Sequence, residues 1–129
     1  MFSNFKKGKV ENMKSCTLKE RYIKQIVKGF KTKEARMANP MFQKWKVGDE
    51  IRFFSKRNPS MYVIVEILGK NYYRTIREML ENEGVENLLD NVTNINHAVR
   101  IYLSLPNYAE MEKKYGVLAF EFEVKEYNI

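Results

Sequence analysis

The sequence predicts an α+β domain, a small mixed β-barrel or curved sheet with flanking helices. Three observations carry this. Strand-length apolar runs and helical periods follow one another as strand, helix, several strands, helices, strand, which is not a repeating βα unit. The last run alternates with period two: Leu118, Phe120, Phe122 and Val124 against Ala119, Glu121 and Glu123. Finally, 129 residues with 44% apolar content, eight Phe, eight Tyr and one Trp suffice for a core without disulfides.

The elements follow in chain order. Residues 1–12 carry Lys6, Lys7 and Lys9 without an apolar period, and are expected to be a flexible basic N-terminal arm, with Met13 an alternative start. Residues 13–129 are expected to form one domain. A short strand at 14–17 leads into a helical period in which Leu18, Tyr22, Ile23, Ile26 and Val27 share one face. Arg21, Lys24 and Lys28 line the other face, and Gly29 stands where a helix terminus favours positive φ. A strand is expected at 32–37, then a connector, "NPMFQKWKVGD", with Trp45 packing and Gly48-Asp49 turning. Strands at 50–55 and 61–69 flank the turn "KRNPS"; the second is continuously apolar, as a strand buried on both faces would be. Thr75 and Glu78 form a capping box for a helix through "IREMLENE". Further helical stretches follow, with Pro106 opening the last and Gly116 ending it. The final strand, 117–125, is expected to bury Leu118, Phe120 and Phe122.

Several function classes are excluded or left without support. One Cys and one His cannot make a Cys/His zinc site. The scattered glycines form neither a phosphate loop nor a dinucleotide fingerprint, so no cofactor is expected. His97 is expected to be a packing or surface residue, and Cys16 inert core. Tyr72 and Tyr73 could stack bases if exposed, but tyrosines beside a strand are commonly structural. No apolar run approaches a membrane span, and the basic start is followed by no signal-peptide core. With a lone cysteine, an intracellular location, cytoplasmic or nuclear, is expected.

Charge is unevenly distributed. Residues 1–57 hold 16 Lys/Arg against 5 Asp/Glu, and residues 58–129 hold 7 against 11, within a total of +7. A basic half joined to an acidic one polarises the surface and favours phosphate-bearing partners. A merely lysine-rich surface would give the same count.

The densest chemistry is "GFKTKEAR", residues 29–36. Glu34 and Arg36 are two apart, so a strand puts them on one face, where the guanidinium can pair and keep donors free. Lys31 can join them only from the turn after Gly29, before regular alternation begins. The alternative is a structural ion pair bracing the strand. The pattern G-x-K-x-x-E-x-R resembles that of the ASCH (activating signal cointegrator homology) family of the PUA-like superfamily. The resemblance extends, in order, through "KSCTLKERYIKQIVKG", "KVGDEIRFF", "MLENEGVENLL" and "YGVLAFEFE", roughly residues 14–126.

That resemblance implies a PUA-like fold and an RNA-associated function, with a polar cleft beside the motif. Lys31, Glu34 and Arg36 would contact nucleic acid, with Glu83 beside them, while Arg21, Lys24 and Lys28 steer phosphates. The partner would be RNA, as a single strand or a modified base. One bacterial branch of the family deacetylates acetylated cytidine with a lysine, a threonine and a glutamate. By resemblance, Lys31 and Glu83 match the lysine and glutamate, but Glu34 stands in the threonine's place and Thr32 is two residues away. A nucleoside-acting amidohydrolase is therefore the alternative function. A protein-interaction domain, its basic face meeting an acidic partner, is the third.

Overall fold

The computed structural model describes residues 13–129. The predicted arm, 1–12, lies outside the described residues. Five strands form one mixed sheet: β1 (Met13–Thr17), β2 (Lys33–Met37), β3 (Glu50–Phe54), β4 (Tyr62–Tyr73) and β5 (Val117–Asn128). Their order is β1-β3-β4-β5-β2. β1 and β3 run parallel, and the other neighbours are antiparallel. The helices are α1 (Glu20–Val27), α2 (Pro40–Gln43), α3 (Ile76–Glu83), α4 (Val85–Leu88), α5 (Ile95–Leu103) and α6 (Tyr108–Tyr115).

The barrel form of the expected fold is corrected. Among the described residues the sheet is open, with β1 and β2 as its edges. Both edge strands are five residues long, and side chains from each line a cleft instead of sharing a ladder.

The sheet buries both faces, each against different helices. On one, Ile23 and Ile26 of α1 and Phe42 of α2 pack with Trp45 on Phe53, Val65, Phe120 and Phe122. Trp45 meets Phe42 edge-on at 4.9 Å and Phe120 at 5.3 Å between ring centroids. On the other face, Ile76, Met79 and Leu80 of α3, with Ala98 and Tyr102 of α5, pack on Ala35, Met37, Val117 and Ala119. The first four residues of β5 are thus buried on both sides. Leu118, Phe120 and Phe122 are buried and Glu121 and Glu123 exposed, as their alternation predicts. Val124 departs from it and is exposed.

Two elements were not legible. α2 is a four-residue helix inside the connector, started by Pro40 and capped by Asn39, whose side chain accepts from Phe42 N–H at 3.1 Å. β4 continues past Gly69 to Tyr73, because Gly69 falls at a register shift against β5 and does not end the strand. The capping box is present, Thr75 Oγ1 accepting from Glu78 N–H at 3.1 Å.

Gly29 and Gly116 carry the fold's most consequential backbone. Gly29 at φ +85° lets the chain leave α1 sharply. Gly116 at φ +79°, ψ −164° lies in a region that only glycine adopts readily, and a Cβ there would collide with the Tyr72 ring.

Candidate functional site

β2 is built to present charge on one face and apolar surface on the other. Its register against β5 sets Glu34 opposite Phe120 and Arg36 opposite Leu118, whereas Ala35 and Met37 face α3 and α5. The turn before it is held by Phe30 and Lys31 N–H groups, both donating to Gln25 O at the end of α1. Lys31 therefore precedes the strand's alternation and reaches Glu34 at i+3.

The three charges form a buried ladder. Lys31 Nζ lies 2.9 Å from Glu34 Oε1, and also donates to Leu88 O at 2.9 Å. Arg36 Nη2 and Nε reach Glu34 Oε2 at 2.6 and 2.8 Å. Lys31 is 5% exposed and Glu34 7%. Burial pushes the Glu34 carboxyl up, but the Lys31 ammonium and the Arg36 guanidinium outweigh it and hold it below the ordinary 4.5. Burial likewise opposes the Arg36 charge, and Glu34 overcomes it.

This ladder lies at the base of a cleft of about 810 Å³, within the ~300–1,000 Å³ span of small-molecule sites. One wall is the end of β1 and the start of α1, with Leu18 and Tyr22. Another is the segment after α4 together with the end of α5 and start of α6, contributing Leu89, Tyr102 and Tyr108. The β3–β4 turn adds Lys56 and Arg57, and Lys19 stands at the start of α1. All three of these cationic residues are exposed. Burial pushes the Tyr102 and Tyr108 hydroxyls up; Arg36 opposes this and Glu34 adds to it, and the net rise keeps both protonated at neutral pH.

The structure places the other predicted residues outside the cleft lining. Glu83 is not in the cleft. It ends α3 on the opposite face of β2, where Lys33 Nζ meets its Oε1 at 2.8 Å. Asn71 Nδ2 donates to its Oε2 at 2.9 Å, and Tyr73 Oη donates to the same oxygen. The reason is strand alternation: Lys33 and Glu34 point to opposite faces, and α3 covers the Lys33 side. The expectation of one concave surface holding Lys31, Glu34, Arg36 and Glu83 is corrected to the first three. Arg21, Lys24 and Lys28 are exposed on α1, Arg21 lying over the Tyr22 ring at 4.9 Å, and none of them lines the cleft. His97 is exposed in the first turn of α5. Tyr72 is exposed, and Tyr73 is committed to Glu83.

Sequence reasoning missed the walls and the mouth. Lys56 and Arg57 stand in a turn that was legible, but their approach to a motif twenty residues upstream depends on the β1–β3 side of the sheet and β2, at its other edge, meeting across the cleft. Tyr102 and Tyr108 flank Pro106, and only the packing of α5 and α6 turns them toward β2.

A family model for the ASCH domain matches residues 17–126. The chain belongs to the ASCH domain family. Solved structures similar to this ASCH domain include the hypothetical protein PH0355, 35% identical with a TM-score of 0.78, over 88% of this chain and 99% of that one. A second is protein PF0455 from Pyrococcus furiosus, 33% identical with a TM-score of 0.72, over 89% and 99%. The ASCH protein of Zymomonas mobilis shares the fold at 16% identity, with a TM-score of 0.60 over 91% and 69%. A search of curated proteins gives no match. No helix among the described residues is long and apolar enough to cross a membrane.

Two buried carboxylates give this ASCH domain a defined acid response. Burial pushes Glu83 up, but its hydrogen bonds from Lys33, Tyr73 and Asn71 hold it, like Glu34, below the ordinary 4.5. A depressed folded pKa gives stability that is complete above the unfolded value and is lost as pH falls through the folded one. The melting temperature is therefore expected to be level near neutrality and to fall steadily below roughly pH 5. Thermal melts across that range check it, and equal stability at neutral pH and about pH 3 would contradict both ion pairs.

Proposed function

We propose that this ASCH domain, spanning residues 13–129, binds RNA, taking an unstacked base of a single strand into the cleft above Lys31, Glu34 and Arg36. The observation that supports it best is the convergence of three features at one concavity: a charged base, tyrosine-bearing walls and a cationic mouth. An unstacked base needs apolar and aromatic surface against its faces and hydrogen bonds at its edge. Tyr22, Tyr102 and Tyr108 supply the first, and Arg36 and Lys31 the second. Lys19, Lys56 and Arg57 lie where the flanking phosphates would run, with Arg21, Lys24 and Lys28 extending the field along α1. The family's association with nucleic-acid binding is in keeping with this.

The geometry lends less to an amidohydrolase. Glu34 stands where that branch has its threonine, and it is held by two cations. Glu83, the matching proton carrier, is engaged by three partners on the far face of β2. A protein partner for the basic face gains no specific observation.

Binding of single-stranded RNA, followed by fluorescence anisotropy across a salt series, tests the proposal. Lys56→Ala and Arg57→Ala are expected to weaken binding and to lower the slope of log K against log salt by about 0.7 each. Arg36→Ala and Lys31→Ala should weaken it as well. Salt-insensitive binding, or unchanged affinity in all four variants, would overturn the cleft as the site. Turnover of an acylated cytidine that Lys31→Ala abolishes would replace binding with the hydrolase reading.

A further inference from the structure

We infer that the cleft selects a base edge carrying two adjacent hydrogen-bond acceptors, and so prefers guanine, read through O6 and N7 by Arg36. This rests on the RNA-binding reading and deepens it.

The inference comes from an inventory of donors and acceptors at the base of the cleft. A carboxylate offers about four lone-pair sites. In Glu34 three are taken, one by Lys31 Nζ and two by Arg36 Nε and Nη2. The ladder's only acceptor is thus nearly spent within the protein. Its donors are not. Arg36 carries five N–H groups and Lys31 three. Two of Arg36's are used on Glu34, and two of Lys31's on Glu34 and Leu88 O. Among the described residues no acceptor meets the others. Arg36 therefore retains the Nη1 protons and one Nη2 proton, a fork of parallel donors. Glu34 also fixes the guanidinium plane, so the fork is pre-oriented. The base of the cleft carries two positive charges against one negative, and what it lacks is acceptors.

Each nucleobase answers that demand differently. Guanine places O6 and N7 side by side, the pairing that an arginine fork meets most often. Adenine sets an N6 donor beside N7, which would face donor to donor. Uracil separates its two carbonyls by N3–H. Cytosine offers O2 and N3 together, the other edge of this kind, on a smaller ring. A phosphate oxygen pair would also satisfy the fork, but it would sit poorly between Tyr22, Tyr102 and Tyr108, and cations at the mouth already serve phosphates.

The test uses the unmodified protein and a set of short single-stranded RNAs of equal length, each with one variable central base in an otherwise uridine strand. Guanosine is expected to bind about tenfold or more tighter than adenosine. Inosine, which keeps O6 and N7, should bind like guanosine, and 7-deazaguanosine, which loses N7, should fall toward adenosine. Arg36→Lys keeps the charge and removes the fork, so it should erase the guanosine preference while retaining most of the salt dependence. Equal binding of all four bases overturns this inference and leaves the RNA-binding proposal standing. Guanosine and 7-deazaguanosine binding alike overturns the O6/N7 contact. A preference for cytidine alone moves the recognised edge to O2 and N3 and overturns guanine. Failure to bind any of the strands overturns the underlying proposal itself.

Discussion

Replacing Glu34 by alanine is expected to lower the melting temperature by roughly 10–20 °C, equivalent to a loss of roughly 3–5 kcal/mol. The size follows from what is left behind. Lys31 and Arg36 both use Glu34 as counter-ion, in a place where water reaches them poorly. Without it two cations face each other in a partly dry site, each missing a charge-assisted hydrogen bond. A second variant separates bracing from binding. Lys31→Met, Glu34→Leu and Arg36→Met together remove all three charges and leave none unpaired. Apolar replacement of a whole buried charge cluster is commonly neutral or stabilising, so the triple variant should melt near the unmodified protein and yet fail to bind RNA. A loss of less than about 1 kcal/mol for Glu34→Ala would show that the ladder does not depend on its carboxylate. A triple variant that folds and still binds RNA would reduce the motif to a structural ion pair.

Phe120→Ala should cost roughly 3–5 kcal/mol, the range for deleting a buried aromatic ring. Phe120 is 1% exposed and lies in β5 between β4 and β2, its ring against Trp45. Its backbone partner across the β2–β5 ladder is Glu34. The cavity would open directly beneath the charged ladder, so RNA affinity should fall along with stability. Urea unfolding measures the first and anisotropy the second. A change under about 1 kcal/mol would mean that this end of the sheet collapses to fill the space, contrary to its close packing.

The fold was largely legible because its punctuation is local. Gly29, the Thr75–Glu78 box, Gly116 and the 118–124 alternation each mark a boundary with a mechanism that acts within a few residues. The site was legible where it too is local. Glu34, Arg36 and the out-of-phase Lys31 occupy six consecutive residues, and the geometry of a turn followed by a strand is enough to bring them together. Glu83 was misplaced for the opposite reason. Which face of β2 a helix fifty residues away will cover depends on β5 lying between β4 and β2, and no local pattern encodes that. Lys56, Arg57, Tyr102 and Tyr108 were missed on the same grounds.

The position of β2 in the sheet also imposes an order in time. A chain made from its N-terminus has β2 complete long before its sheet partner exists, because among the described residues Lys33 to Met37 pair with Val117 to Glu121 and with no earlier strand. β1, β3 and β4 can associate as soon as residue 73 is available. The motif strand must wait for nearly the whole domain, and closing so long a loop is the slow kind of step in folding. Until then Lys31, Glu34 and Arg36 have no sheet to hold them in register. The cleft is consequently a late product of synthesis, and a chain arrested before β5 emerges would carry the entire motif without a formed site.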